Sequence, residues 1–449
     1  MPDGSTNITP YLAQALEVSP TFAGAGVDWV DALRNAGAQC YTDHGLPVRR
    51  DEYWRYTNLN SLRDERFQLA SADPLIGLPP LPHPSVSGLA SYRIVLVNGR
   101  VQPKLCMLDG MPDGVLITDL GGILVAAPER LEPHLGRVVS LKDMPMAALN
   151  TAFLQDGMAV FIDEEIVLDK PVHLISITAP GEGAMMVQPR HLVVMDKGAQ
   201  ATLIETHISA AGGSSFNNIV TELQVAENAR LNHFVFQGES ETSVHLSGTA
   251  VALSAGAYYE SFVLQGGAAI GRSEIRAYLN GPGADCRLDG VYLATGNQLV
   301  DNTTYIEHAA PECRSHQVYK GVLGGQSRGV FQGKTHVTRG AQQTDGRQLS
   351  QALLLSPRAE INVRPELEIY ADDVKCSHGA TAGELDENAV FYLVSRGITR
   401  PDARRMLIEA FLSQAISEIS LRPVGEGFST HIQQWLGSHV DQSPDGDPS

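Results

Sequence analysis

The chain has few cysteines for its length: five in 449 residues, at positions 40, 106, 286, 313 and 376. An odd, widely spaced set forms no disulfide framework and holds no Cys-x-x-Cys zinc knuckle. Aromatic residues are only 6% of the chain against 43 glycines, which favours short strands and tight turns over helical bundles. Basic charge is scarce as well. With 33 Lys and Arg against 51 Asp and Glu the net charge is −18, and basic residues cluster no further than pairs such as Arg49-Arg50 and Arg404-Arg405. That balance argues against nucleic acid or an anionic membrane as a partner. No window approaches the roughly 18 uninterrupted apolar residues of a membrane span, and no basic and apolar leader opens the sequence. The expectation is a cytoplasmic protein whose thiols stay reduced.

Common catalytic signatures are missing too. Gly333-Lys334-Thr335 looks like the end of a Walker A loop, but Arg328 stands where the first glycine is required. No G-x-G-x-x-G opens a helix after a strand, and there is no G-x-S-x-G elbow. The chain is not expected to hydrolyse ATP or to be an enzyme.

What is present is a loose repeat. Short β-type runs between about 90 and 365 end in small turn residues, and the alanines at 199, 229, 257 and 284 are spaced by 30, 28 and 27 residues. Gly340-Ala341 follows 57 residues on, about two such periods. A period of this length without room for crossover helices is a solenoid signature, and a mainly β fold built on a parallel β-helix is the preferred reading. A β-sandwich with long loops is the runner-up.

Helical spacing brackets the repeat. Residues 11–18 and 27–40 predict helices, followed by Trp54-Arg55-Tyr56-Thr57, read as an aromatic plug onto the core, and a linker with prolines at 74, 79, 80, 82 and 84. After the repeat, Glu384 to Arg396 predicts a helix stopped by Gly397, and Thr399-Arg400-Pro401-Asp402 opens a second with a capping box. The expected parts are 1–88 (helical region and linker), 89–365 (core), 366–437 (helical domain) and 438–449 (disordered tail).

Two clusters suit a metal. Cys376 and His378 alternate on an extended segment, so both side chains face one way with α-carbons about 7 Å apart. Asp372 and Asp373 are placed to orient the imidazole. Cys313-x-x-His316, with Glu307-His308 upstream, is the weaker set. Ordinary packing accounts for either cluster as readily as ligation does. Lys334 and His336 reach the second cluster's face only if coils stack by one period.

The string from Asp372 to Ile398 resembles the signature of the SufB/SufD family of iron–sulfur cluster assembly scaffolds, with Lys375-Cys376-Ser377-His378-Gly379-Ala380-Thr381 in the SufD-like form. Tyr319-Lys320-Gly321-Val322, Arg328 to Gly333, Gln343-Thr344-Asp345, Leu353 to Ser356 and Pro365 to Ile369 look like the family core in order. The resemblance spans roughly 90–420, and Trp54-Arg55-Tyr56-Thr57 matches a W-x-Y-T element near the start. It implies a right-handed parallel β-helix with helical regions at both ends, joined to a SufB-like paralogue, with a SufC-like ABC ATPase docked on the C-terminal helices and a cysteine desulfurase system acting indirectly. His378, and after it Cys376, are the implied ligands of a transient iron–sulfur cluster shared with the partner. The resemblance leaves open a reduced flavin in the complex and a homodimer of the lone chain. Five scattered cysteines do not build a four-cysteine cluster alone. The alternatives are a polysaccharide-active β-helix enzyme and a purely structural adaptor.

Overall fold

A computed structural model describes residues 10–70, 88–179, 183–210 and 213–439. The Pro-rich stretch from 74 to 84 and the tail from 441 lie outside these residues. The chain is mainly β, with 41% strand and 24% helix, and its centre is a parallel β-solenoid of about seven turns. Successive strands alternate between two sheets. The first sheet carries Arg190–Met195, Ser215–Val225 and every second strand on to Glu360–Ile369, while the second carries Val172–Thr178, Gln200–Ser209 and their successors to Val374–Gly383.

The alanine spacing is the coil repeat itself. In the second sheet Gln200 pairs with Arg230, Arg230 with Tyr258, and Tyr258 with Asp285. Each of Ala199, Ala229, Ala257 and Ala284 is fully buried just before its strand, and each gives its carbonyl to the next coil: Arg230, Tyr258, Asp285 and Arg314 N–H donate in turn. These tight corners are filled by small side chains. Ala341 is not the next rung, contrary to the expected double period. Cys313 takes that place, fully buried and accepting from Asp345 N–H, and Thr344 follows.

The interior is apolar along most of its length, but one stretch is ionic. The Glu205 carboxylate lies 3.0 Å from both His207 Nε2 and His233 Nε2, and Glu239 lies 2.6 Å from His245 Nδ1. All five side chains are buried. Burial pushes the Glu205 carboxyl up, but hydrogen bonds from His207 and His233 outweigh it and hold it well below the usual range. Glu239 likewise falls to about 2, burial being overcome by the charge and hydrogen bond of His245. Burial lowers His207, yet Glu205 reverses this and leaves it raised.

Both outer faces are covered. Helices Pro10–Val18 and Asp28–His44 belong to the N-terminal region over the first sheet. The plug reading of Trp54 holds: the ring is 4% exposed and stacks under the Arg272 guanidinium, 4.0 Å from the ring centroid. Arg272 and the Thr57 hydroxyl both bond to buried Asp301. Over the second sheet lie helices Arg400–Ile416 and Arg422–His439, whose Ile408, Leu412 and Phe428 pack on Phe236, Phe262 and Val291. The ammonium of Lys320, lowered in pKa by burial, donates to Phe411 O at 2.8 Å and pins the first of these helices.

Two boundaries and one added helix differ from the sequence reading. The solenoid continues past 365 through Glu360–Ile369 and Val374–Gly383, because coil stacking overrides the turn-like Gly, Ala and Ser content of the last strand. Helix Glu387–Val394 therefore starts the C-terminal region, with Gly397 at φ +89° ending the turn after it. A further helix, Arg422–His439, has Pro423 in its first turn, where the missing N–H costs nothing. Among the described residues no helix is long and apolar enough to cross a membrane.

Candidate functional site

The two ends of the solenoid are built differently. At the start, the strand Tyr92–Val97 is followed by the antiparallel Arg100–Val101, and Met158–Ile162 is flanked by antiparallel Val115–Asp119. At the finish, Glu360–Ile369 and Val374–Gly383 are the last members of their sheets and nothing pairs beyond them among the described residues. Their residues are mostly half-buried or exposed, whereas Arg328–Val337, one coil earlier in the first sheet, is mostly buried. Two ten-residue edges with free backbone groups are a template for another chain, which monomeric proteins avoid.

Cys376 and His378 sit on this edge. Register pairs Cys376 with Gly346 and His378 with Gln348, and the side chains point along the interior columns. Cys376 is half-buried with Val374 beside Val337, Ala341 and Ala371, while His378 is exposed because no coil stacks on it. Burial raises the Cys376 thiol, the Gly346 N–H lowers it and the Asp345 charge raises it again, for a net rise. A raised thiol holds its proton more tightly than a free cysteine does. Asp372 and Asp373 are exposed turn residues; Asp373 N–H donates to Gln342 Oε1, and neither carboxylate bonds to His378 among the described residues.

The second cluster does not converge. Cys313 faces inward with its thiol donating to Gly281 O at 3.3 Å, and burial raises its pKa. His316, three residues on, faces outward with Nδ1 3.9 Å from Asp289. Odd spacing on a strand sends the two side chains to opposite faces. His308 is inside, bonded to Ser315 Oγ at 2.9 Å and drawn down to about 4 by burial. Glu307 is outside, where coil stacking sets it against His336. Glu368 on the next coil bonds Lys334 and lies 3.6 Å from His336, and Tyr278, Tyr305, His336 and Tyr370 form a ring ladder beside them. Among the described residues no three His, Cys, Asp or Glu side chains come together in a geometry that holds a metal ion. The edge carries one thiol and one imidazole, fewer side chains than a four-ligand cluster takes.

Sequence spacing missed Gly346 and Gln348. Both become visible once Cys376 and His378 are set back by one coil of 30 residues. The C-terminal helices also expose an apolar group: Phe391 is 73% exposed, and Tyr392, Val394 and Met406 are exposed near it.

Comparison with known sequences identifies the family. Residues 176–411 match the family described as SUF system FeS cluster assembly, SufBD core domain, and residues 17–174 match the SufBD protein N-terminal region. An iron–sulfur cluster assembly SufBD family protein of Synechocystis is 30% identical over 91% of each chain. The iron–sulfur cluster assembly protein SufD of Escherichia coli is 32% identical over 84% of this chain and 87% of its own. A chloroplastic Arabidopsis thaliana protein, ABCI7, is 28% identical over 95% of this chain and 90% of its own. The two matches together span the plug, the solenoid and most of helix Arg400–Ile416, and this chain is a member of the SufBD family of iron–sulfur cluster assembly proteins.

Proposed function

We propose that the chain is a non-catalytic scaffold subunit that meets a SufB-like paralogue through the open end of its solenoid. The observation that carries this reading is the pair of unpaired edge strands bearing one thiol and one imidazole. Edge-to-edge docking satisfies the free backbone groups and brings Cys376 and His378 against the partner's own ligands. A cluster arriving there as cargo takes the Cys376 thiolate and the neutral His378 imidazole, releasing protons, and leaves when the edges separate. In the absence of the paralogue, the same edge pairs two copies of this chain.

The exposed Phe391, Tyr392, Val394 and Met406 support a second docking surface, for a SufC-like ATPase. Its nucleotide cycle drives motion in the helices, and Lys320 passes that motion to the solenoid. A desulfurase supplies sulfur to the complex rather than to this chain, and a reduced flavin bound to the complex supplies electrons.

The test is anaerobic co-purification of the full chain with SufB-like and SufC-like partners, followed by iron and sulfide analysis. A three-component complex carrying both elements is expected. A complex that forms without iron or sulfide leaves the chain a structural adaptor, and no complex at all ends the scaffold reading.

A further inference from the structure

Behind His378 runs a column of carboxamides. Gln317, Gln348 and His378 occupy the same register position on three successive coils. Facing them across the interior are Thr304, Gly333 and Pro365, themselves one column. In the innermost coil one bond crosses the interior: Thr304 Oγ1 donates to Gln317 Oε1 at 2.7 Å. In the next coil glycine replaces threonine. A Cβ on Gly333 would fall 1.8 Å from Gln348 Nε2, so glycine there lets the carboxamide lie across the interior but gives it nothing to bond.

Gln348 is 3% exposed and Gln317 is 1% exposed. Both amide atoms of Gln348, and Nε2 of Gln317, have no partner among the described residues. Carboxamides stacked one coil apart, about 4.8 Å, can bond directly, but Gln317 and Gln348 do not, and water is the other partner open to these buried atoms. Three orphaned polar atoms on two buried side chains, with an imidazole ending the column, supply the two to four partners that an internal water needs. That His378 faces this column follows from its neighbour: a Cβ on Gly379 would meet Leu349 Cδ1 at 3.4 Å on the opposite face.

We propose that Gln317 and Gln348 hold a short file of water inside the last coils, and that this file fixes the His378 ring from its inner side. Gln348 is then a positioning residue: through the bridging water it selects which ring nitrogen carries the proton and so which nitrogen faces the partner edge. The inference rests on the reading of Cys376 and His378 as ligands.

The test uses the full chain under anaerobic, reducing conditions with Co2+ alone as the probe, read by its thiolate absorption. Wild type, Gln348→Leu, His378→Asn and Cys376→Ser are titrated. Gln348→Met stands in if the leucine variant misfolds. Gln348→Leu is expected to bind roughly tenfold more weakly, the usual effect of removing an outer partner of a ligating histidine. Its thermal midpoint should stay at the wild-type value, and the His378 ring-nitrogen shifts should move. Wild-type affinity and unchanged ring shifts in Gln348→Leu, with His378→Asn weakened, overturn this inference alone. Wild-type binding by His378→Asn and Cys376→Ser overturns the ligand reading beneath it. A crystal structure with ordered water between Gln348 and the His378 ring supports the file. Direct Gln317–Gln348–His378 contacts overturn it.

Discussion

Replacing Glu239 with glutamine removes one carboxylate from the ionic stretch inside the solenoid and leaves its shape. In the folded chain Glu239 ionises near 2 against an ordinary 4.5, because the charge and hydrogen bond of His245 overcome burial. That difference corresponds to about 3 kcal/mol, at roughly 1.4 kcal/mol per tenfold change in proton affinity. A carboxyl with a depressed folded value stabilises above its unfolded pKa, so the contribution is complete above pH 4.5 and fades as pH falls toward 2. His207 runs the other way. Its folded value is raised above 6.5, so its contribution is complete below pH 6.5 and is lost as pH rises through the folded value. This stretch is therefore strongest between pH 4.5 and 6.5. Chemical denaturation from pH 3 to 9 should show Glu239→Gln less stable than wild type by about 3 kcal/mol near pH 6, the gap closing toward acid. Equal stability at pH 6, or a gap that widens in acid, refutes the reasoning.

Other outcomes follow from packing. Trp54→Ala should cost about 3–5 kcal/mol by a large-to-small change, seen as a lower thermal midpoint; a change near zero would mean the plug is not seated on Arg272. Cys313→Ala should leave cluster yield in the complex unchanged, while Cys313→Leu overpacks the corner at about 1–3 kcal/mol; a yield loss in the alanine variant would make Cys313 a ligand. Phe428→Ala opens a hole against Phe236 and Phe262, so limited proteolysis should release the C-terminal helices first, and uniform resistance would contradict their placement.

Much of the fold was legible because a solenoid writes its period into the chain. The spacing of Ala199, Ala229, Ala257 and Ala284 equals the strand register, since each corner accepts only a small side chain. Cys313 hid one rung of the pattern, because a buried thiol is about as small and apolar as an alanine and fills the same corner. The last strand fell outside the expected core because its Gly, Ala and Ser residues carry little β preference, and pairing with Thr344–Leu354 decides its conformation. The Glu205–His207–His233 group was hidden for a different reason. Glu205 and His233 lie on neighbouring coils, 28 residues apart, and no local motif announces an ion pair formed by stacking. That Cys376 and His378 share one strand face was legible from their two-residue spacing.

The scaffold account is tested most directly by the iron and acid-labile sulfide content of the anaerobic three-component complex made with Cys376→Ala/His378→Ala in place of the wild-type chain. The account predicts a complex of unchanged composition whose visible absorption, iron and sulfide fall severalfold. Wild-type iron and sulfide in that complex would contradict it.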